Sequence, residues 1–330
     1  MKQIDFGNLG STLLLLAAIG LGAFIGGLFP ATGQTLFDAV DPLILILVSL
    51  LFFEVRFRDF GKAAGHLKFV GVAWTANFVI IPTIGYGIAW LLLRQQPPFF
   101  IGLMIYFMAP CTDWFLGFTR LAKGNTALGT ALLPINLISQ LLLYPVFLGL
   151  FAGTLVNVES GTIYQTLVGW FLFPLIGAVA AHFILAQVLP TEWFTVLIAW
   201  VGRLVSVVIA LLVLCICAAN TNTILDHSAA FGWILVGVFM FFIFTYALSE
   251  GLSRVFHFEY PEHALLTMTT AARNAPLMLA VTAAALPDQP LIYAALVIGT
   301  LVELPHLTIV KHLLRRSHKS ATDLQSGEQV

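Results

Sequence analysis

Ten apolar stretches, each about the length of a membrane-spanning helix, follow one another along this chain and are separated by short polar segments. A helix needs about 20 predominantly apolar residues to cross the hydrocarbon layer of a bilayer. The stretches cover residues 10–29, 36–54, 67–93, 98–121, 126–152, 162–187, 203–220, 229–253, 261–286 and 290–313. Because lipid offers the backbone no hydrogen-bond partners, segments of this kind fold as helices. The sequence therefore predicts an all-α integral membrane protein with ten transmembrane helices.

The composition excludes several other classes of protein. Hydrophobic residues make up 59% of the 330 positions and charged residues only 9%, whereas a soluble domain carries roughly 25% charged residues. The lysines and arginines are too few and too dispersed for a nucleic-acid-binding surface. Cys111, Cys215 and Cys217 have neither the spacing of a zinc site nor that of a disulfide framework. Hydrolase, metalloprotease and phosphate-loop signatures are missing, so we expect no enzyme, no metal site and no cofactor.

The positive charges predict the orientation of the chain, because cytoplasmic loops carry an excess of Lys and Arg. Basic residues follow the second and fourth predicted helices, flank the seventh and eighth, and recur near the C-terminus, while Arg94 alone lies on the opposite side. This pattern places both termini in the cytoplasm, which requires an even number of helices. We expect a multi-pass plasma (cell) membrane protein with a single transmembrane unit, residues 1–316, and a disordered cytoplasmic tail, residues 317–330.

Each half of the chain holds five predicted helices, so the second half enters the membrane with the opposite polarity to the first. In both halves the fourth helix contains a proline near a charged residue: residues 109–114 read APCTDW, and residues 269–276 read TTAARNAP. Interrupted helices at matching positions of two repeats are the best sequence indication of a transporter's binding site. The sequence therefore predicts two inverted five-helix repeats whose broken helices 4 and 9 cross.

The charged residues at these two breaks, Asp113 and Arg273, are the first candidates for a functional site. A charge at bilayer depth is costly, so by default it marks a substrate or ion path. If the broken helices cross, the two side chains can approach each other and pair. The pair can lock the crossing as a structural ion pair or take part in substrate or proton handling, and the sequence leaves both interpretations open.

Four further residues are candidates because they place polar or reactive atoms in apolar segments. Glu303, in the tenth predicted helix, is a candidate proton-relay group or, alternatively, a hydrogen-bonded anchor. Asn274 adjoins both the charge and the break, while Asn136 in the fifth helix can line a site or hold helices together. Cys111 lies at the break itself; a buried cysteine is usually a small apolar residue, although its thiolate is also a soft ligand for a thiophilic species.

Four motifs together resemble those of arsenite permeases of the arsenical-resistance type. Residues 109–125 and 131–136 are similar to their fourth and fifth helices, and residues 269–274 and 301–305 to their ninth and tenth. These carriers share a superfamily with the bile acid:sodium symporters and the riboflavin transporters, and this chain resembles a divergent member of it. The resemblance implies a core domain and a panel domain, which correspond here to residues 67–152 with 229–313 and residues 10–54 with 162–220.

The resemblance also implies roles for individual residues. Arsenite permeases use a cysteine on helix 4 and a glutamate on helix 10, which fall on Cys111 and Glu303 in this chain. The bile acid branch binds sodium through a glutamate and a glutamine–asparagine pair on helix 9, and these positions read Thr269, Arg273 and Asn274 here. A fixed guanidinium in a cation site opposes the binding of sodium.

We therefore expect a secondary active transporter that exports arsenite, or a related trivalent arsenical, by proton antiport and alternating access. The substrate site would comprise Cys111, Asp113, Asn136, Arg273 and Asn274, and the proton-coupling groups would be Glu303 and Asp113. The alternative is an ion-coupled transporter of a small organic anion, similar to the bile acid:sodium symporters, with Arg273 as the carboxylate partner. In both cases the expected partners are the small substrate, a coupling proton or sodium ion and the lipid bilayer, and the expected state is a monomer or homodimer.

Overall fold

A computed structural model describes residues 6–54, 64–112, 115–152, 172–286 and 289–327, so the predicted site residue Asp113 lies outside the described residues. The helices are α1 Phe6–Leu28, α2 Pro30–Phe37, α3 Val40–Glu54, α4 Leu67–Thr75, α5 Ile81–Leu93, α6 Pro97–Met108, α7 Phe115–Leu121, α8 Thr126–Ala152, α9 Phe173–Val188, α10 Thr191–Asp226, α11 Ser228–Phe256, α12 Tyr260–Ala271, α13 Ala275–Ala285 and α14 Pro290–Gly327. A 3₁₀ turn, Ala64–His66, precedes α4, and a π-helical turn, Ala76–Ile80, joins α4 to α5.

Four helical stretches of the described residues are long and apolar enough to cross a membrane by themselves. They are Leu67–Leu93, Thr126–Phe151, Thr191–Asn222 and Ala229–Phe256. The pair α2 and α3, bent by 45° at its break, makes a fifth candidate span. Shorter apolar helices complete the set: Leu13–Leu28, Pro97–Met108, Phe173–Val188, Ala275–Ala285 and Pro290–Gly299. The chain is thus an α-helical, multi-pass membrane protein, while the total of ten spans and the inverted repeat stay predictions.

The two helices that the sequence predicts to be broken are broken in the structure. Residues 109–114 separate α6 from α7, and residues 272–274 separate α12 from α13. Ala109 is extended, with φ −109° and ψ 105°, because the residue before a proline avoids the helical conformation. Pro276 instead lies in the first turn of α13, where its missing N–H costs no hydrogen bond.

Two helices, α10 and α14, extend by more than ten residues beyond the apolar stretches that predict them. α10 begins at Thr191, so the segment before residue 203 belongs to the same helix. α14 continues to Gly327, so residues 317–327 are helical where the sequence predicts a disordered tail. This segment contains no proline, and the extension of an existing helix needs no new nucleation.

A π-helical turn interrupts the long span Leu67–Leu93 at Ala76–Ile80. Pro82 follows it in the first turn of α5, and a proline ring clashes with the carbonyl four residues earlier in a regular helix. The wider turn accommodates that ring. Turns of this kind are frequent at functional sites, and Asn77, which lies in this one, is completely buried.

The helices pack in two groups. In the first group, α10 packs against α1, α2 and α3, and α9 packs against α3. In the second group, α11 packs against α5, α12 and α14, while α6 packs against α5 and α14. α13 packs against α14 and so belongs to the second group. The groups meet where α10 contacts α14 and where α3 contacts α13.

The helix ends gather on two faces of the bundle. On one face, the Lys68 ammonium donates a hydrogen bond to the Phe256 carbonyl at 2.7 Å. On the opposite face, residues from 96–99 and 226–230 line one cavity together with Leu291. Ends that lie on the same side in the predicted topology are therefore neighbours in the fold. Which face is cytoplasmic stays a prediction.

Candidate functional site

The two broken helices cross at their breaks and are joined there by backbone hydrogen bonds. Pro110 pairs with Arg273 in an isolated antiparallel bridge. The Cys111 N–H donates to the carbonyl before Arg273 at 3.0 Å, and the Asn274 N–H donates to the carbonyl before Pro110 at 2.9 Å. Non-helical backbone at membrane depth is tolerated only where its polar groups are satisfied inside the protein, and here each break satisfies part of the other. The structure thus contains the predicted crossing.

Arg273 is completely buried at this crossing, and its guanidinium donates to neutral oxygen atoms. Nη1 donates to the Phe107 carbonyl at 3.0 Å, and Nη2 donates to the carbonyls of Thr269 and Thr270 at 2.9 and 2.8 Å. Nη2 also donates to the Asn77 side-chain oxygen at 3.0 Å. The three carbonyls belong to the last turns of α6 and α12, where an α-helix leaves its carbonyls without intrahelical partners.

This arrangement places a positive charge at the negative ends of two helix dipoles. The C-terminal ends of interrupted helices coordinate coupling cations in secondary transporters, and here an arginine side chain holds that position. The Phe241 ring centroid lies 5.5 Å from the guanidinium carbon of Arg273, and the ring stacks on Phe107 at 4.3 Å. The aromatic face adds cation–π attraction to the hydrogen bonds.

Glu303 of α14 reaches the same crossing. Its Oε1 accepts a hydrogen bond from the Arg273 backbone N–H at 2.9 Å, and its side chain is completely buried. When the carboxylate is ionised this is a charge-assisted hydrogen bond, which is stronger than one between neutral groups. The strength of the contact between α14 and the crossing therefore depends on whether Glu303 carries a proton.

A thiol and a phenol complete the polar cluster. Cys111 is 1% exposed, and Tyr106, which precedes the Arg273 partner Phe107 in α6, is completely buried. Gly299 of α14 leaves room for the Tyr106 ring to pack against that helix, because a Cβ at position 299 would meet the ring at 2.7 Å. The crossing and the last turn of α6 thus supply a thiol, a phenol, a carboxyl group and a guanidinium, all of them buried.

Two asparagines from other helices join the crossing through Thr269. Asn77 in the π-helical turn and Asn136 in α8 each place Nδ2 3.3 Å from the Thr269 Oγ1. All three side chains are buried. The Thr269 hydroxyl thus ties α8 and the π-helical turn to the end of α12.

Asn274 connects the two breaks through its side chain. Its Oδ1 accepts from the Leu277 N–H at 3.3 Å and so caps the N-terminus of α13. Its Nδ2 donates to the Thr112 hydroxyl of the other break at 2.8 Å. The sequence predicts that Asn274 shapes the site, and in the structure Asn274 lies at the crossing and caps a helix.

The crossing brings together the predicted site residues that the structure describes: Cys111, Asn136, Arg273, Asn274 and Glu303. Asp113 lies outside the described residues, so its pairing with Arg273 stays a prediction.

Sequence reasoning missed Asn77 and Tyr106. Asn77 carries the one carboxamide of residues 67–93 and lies five positions before Pro82, and both features were available as a signal. Tyr106 carries no such signal, because an aromatic residue within an apolar helix is ordinary.

In the described part of the chain, no three His, Cys, Asp or Glu side chains converge as metal ligands would.

Comparisons with known proteins agree with a transporter architecture. The arsenical-resistance protein Acr3 of Corynebacterium glutamicum is 23% identical over 306 residues, which cover 87% of this chain and 80% of that protein. The Acr3 protein of Alkaliphilus metalliredigens is 24% identical over 338 residues, which cover 96% and 95%. The probable sodium/metabolite cotransporter BASS2, a chloroplastic protein of Oryza sativa subsp. japonica, is 27% identical over 205 residues, which cover 62% and 46%.

The family comparison covers more than half of the chain. Residues 42–227 match the sodium bile acid symporter family. The matched residues include the whole of the first break and the π-helical turn. The second break lies outside that match and within the length shared with the Acr3 protein of Alkaliphilus metalliredigens. The chain therefore belongs to the sodium bile acid symporter family of membrane transporters, as a divergent member related to the Acr3 proteins.

Proposed function

We propose that this protein is a plasma-membrane carrier that exports arsenite, or a related trivalent arsenical, in exchange for protons. One observation carries the proposal: at the crossing, Cys111 is hydrogen-bonded to Ala272, and Glu303 is hydrogen-bonded to the next residue, Arg273. A thiol and a carboxyl group are thereby held at neighbouring positions of one short backbone segment. Two relatives that share most of their length with this chain are arsenical-resistance proteins, which supports the choice of substrate.

The thiol is the group that recognises trivalent arsenic. Arsenous acid, As(OH)₃, is uncharged near neutral pH and can enter a buried site without a counter-ion. The Cys111 thiolate attacks, since the thiolate is the nucleophilic form and a soft ligand for thiophilic elements. One S–As bond forms while one As–O bond breaks, and the thiol proton leaves with the hydroxyl group as water. Addition of water reverses the step and releases arsenous acid, so the bond is transient.

The coupling ion follows from what occupies the helix ends. The carbonyls of α6 and α12 that could hold sodium accept hydrogen bonds from Arg273, and a tethered guanidinium stays charged throughout the cycle. Among the described residues, Glu303 is then the carboxyl group at the crossing that can carry the coupling proton. Its protonation weakens the hydrogen bond to the Arg273 N–H, which loosens α14 from the crossing, and loss of the proton restores the bond.

Alternating access follows from relative motion of two domains. We assign residues 67–152 and 229–313 to a core domain and residues 10–54 and 162–220 to a panel domain. The two packing groups, one around α10 and one around α11, support this division. Because the crossing lies within the core, movement of the core against the panel would expose the site first to one side of the membrane and then to the other.

The test is arsenic retention in cells that lack their own arsenite exporters. Cells that express the wild-type protein should retain less arsenic than cells with an empty vector, and Cys111→Ser should abolish the difference. Cys217→Ser is the matched control, because Cys217 is a buried thiol that packs against Gly22 of α1; it should protect like wild type. Equal retention for wild type and Cys111→Ser, at equal membrane levels, would exclude the thiol role.

A second candidate function is the transport of a small organic anion with Arg273 as the carboxylate partner. Arg273 Nε has no hydrogen-bond partner among the described residues, so its N–H is open to a ligand. Against this function, Nη1 and Nη2 already donate to protein oxygens, so the bidentate geometry that suits a carboxylate is taken. Sodium-driven carboxylate uptake into proteoliposomes that disappears in Arg273→Gln at an equal level of folded protein, without any arsenite export by wild type, would favour this second function.

A further inference from the structure

Helix α8 carries a polar stripe whose middle residue has no role in the mechanism above. Asn136, Gln140 and Tyr144 follow one another at intervals of four residues, which places them on one face of the helix. Helix α8 contains no Asp, Glu, Lys or Arg. The stripe is therefore electrically neutral.

The two outer residues of the stripe are anchored on either side of the second break. Asn136 donates to the Thr269 hydroxyl of α12 at 3.3 Å, and the Tyr144 hydroxyl lies 3.1 Å from the Thr282 hydroxyl of α13. The two anchors are about 12 Å apart along α8 at the usual helical rise, and the break between α12 and α13 lies between them. Gln140, at the middle of the stripe, therefore faces that break.

The Gln140 amide is buried, and no residue that the structure describes forms a hydrogen bond with it. Its side chain is 2% exposed, and neither Nε2 nor Oε1 has a hydrogen-bond partner among the described residues. A carboxamide offers two N–H donors and an oxygen acceptor, and leaving them unused in an apolar interior is unfavourable. Its neighbours on the stripe both have protein partners, so the vacancy is specific to the position that faces the break.

We infer that the Gln140 amide binds the hydroxyl groups of the transported molecule and selects for a small, neutral, hydroxylated ligand. The inference rests on the proposed function. A neutral amide that both donates and accepts suits hydroxyl groups, which also do both. Helix α8 adds no charged side chain of its own to this face, so its contribution to binding is neutral. Cys111 would bond to arsenic while Gln140 holds the hydroxyl groups that remain.

A series of arsenicals separates these two contributions. After one hydroxyl group has been exchanged for the Cys111 sulfur, arsenous acid retains two hydroxyl groups, methylarsonous acid retains one and dimethylarsinous acid retains none. The thiol step is the same for all three molecules. The contribution of Gln140 should therefore fall along the series and vanish for dimethylarsinous acid.

The experiment compares initial rates of uptake into everted membrane vesicles for wild type and Gln140→Met. Methionine has a similar size and shape to glutamine but lacks its amide donors and oxygen acceptor. We expect the KM for arsenous acid to rise about tenfold because two hydrogen bonds are lost, with a change below about twofold for dimethylarsinous acid. The melting temperature should be unchanged or higher, since a buried unpaired amide is replaced by an apolar group.

Gln34→Met is the matched control. The Gln34 amide donates to the Ala219 carbonyl at 3.3 Å in the other packing group, so its loss should leave both KM values unchanged. If methionine at position 140 lowers the yield of folded protein, Gln140→Leu tests the same selective effect.

The outcomes separate a failure of this inference from a failure of the proposed function. An unchanged KM for arsenous acid in the variant, or an equal rise for both arsenicals, would overturn the assignment of Gln140 while leaving wild-type arsenite transport intact. A wild-type protein that moves neither arsenical would overturn the proposed function and the assignment together.

Discussion

At the scale of single residues, Arg273 joins two helices because its guanidinium donates to carbonyls of both. Three backbone carbonyls and the Asn77 amide oxygen accept from Nη1 and Nη2. A guanidinium holds its donors in a fixed plane, whereas the lysine ammonium is a compact point charge on a flexible stem. The crossing therefore depends on the shape of this side chain as well as on its charge.

Replacement of Arg273 should destabilise the fold. In Arg273→Gln three buried carbonyls lose their donor, so we expect the free energy of unfolding to fall by about 3 kcal/mol or more. Arg273→Lys should recover only part of that loss. Thermal unfolding of the purified protein in detergent measures both effects. Arg203→Gln is the control, since Arg203 is exposed and stacks on Trp200 at 5.1 Å. A melting temperature of Arg273→Gln equal to that of wild type would contradict the stabilisation of the two helix ends by Arg273.

Glu303→Gln should uncouple transport from protons. The glutamine keeps an oxygen acceptor for the Arg273 N–H, so we expect normal folding, but it cannot release a proton. In proteoliposomes, a gradient that drives protons inward through the wild-type protein should accelerate arsenite movement outward, and the variant should show no response.

The control for this prediction is Glu192→Gln, because Glu192 is exposed in the first turn of α10 and should keep the response to pH. Arsenite flux that still follows the pH gradient in Glu303→Gln would assign proton transfer to another group.

At the scale of secondary-structure elements, the broken helices stabilise each other. A helix that ends within the membrane leaves carbonyl or N–H groups without intrahelical partners. The backbone bridge, Arg273 and the Asn274 cap satisfy several of these groups from the opposite break or from the next element. We therefore expect α6 and α12 to form their final structure together, because neither break is satisfied alone.

A second element contact brings α1 directly against the backbone of α10. Gly22 and Gly26 have the four-residue spacing of a small-residue packing face. A Cβ at Gly22 would meet the Leu214 carbonyl oxygen at 2.6 Å, and one at Gly26 would overlap the Ala218 carbonyl oxygen. The two helices can approach this closely only because both positions lack a side chain.

Gly26→Val should therefore separate α1 from α10. We expect a loss of about 1–3 kcal/mol in stability, as for other overpacked contacts, seen as a lower melting temperature. Gly27→Val is the control from the same helix, since a Cβ at Gly27 meets no atom within 4 Å. An equal effect of the two substitutions would show that helix propensity, rather than packing, limits stability.

At the scale of the whole molecule, the grouping of helix ends makes the orientation testable. Residues 68 and 256 meet on one face, and residues 96 and 226 line a cavity on the other. The distribution of Lys and Arg predicts that the first face is cytoplasmic. We expect green fluorescent protein fused to the C-terminus to fluoresce, and alkaline phosphatase inserted after Gln96 to be active. The reverse pattern would overturn the predicted orientation.

The membrane class, the positions of the helices and the location of both breaks are predictable because they depend on local sequence. Apolar length determines where a helix can span, and a proline beside a charged residue indicates both breaks, whereas Pro134, Pro145 and Pro305 lie inside continuous helices. The same locality explains why the sequence indicates Cys111, Arg273, Asn274 and Glu303 as site residues: each is a polar or reactive residue in an apolar segment. Homology then establishes the family, through residues 42–227.

The tertiary structure decided which groups these residues contact. The sequence suggests an acidic partner for Arg273, yet the described partners of its guanidinium are neutral oxygens, including Asn77, which lies 196 positions away in the chain. Likewise, only the anchoring of Asn136 and Tyr144 on separate helices shows that Gln140 faces the break. A single sequence states which polar groups must be satisfied in lipid, but their partners are chosen by the three-dimensional crossing of distant segments, because hydrogen bonds require proximity that chain order does not specify.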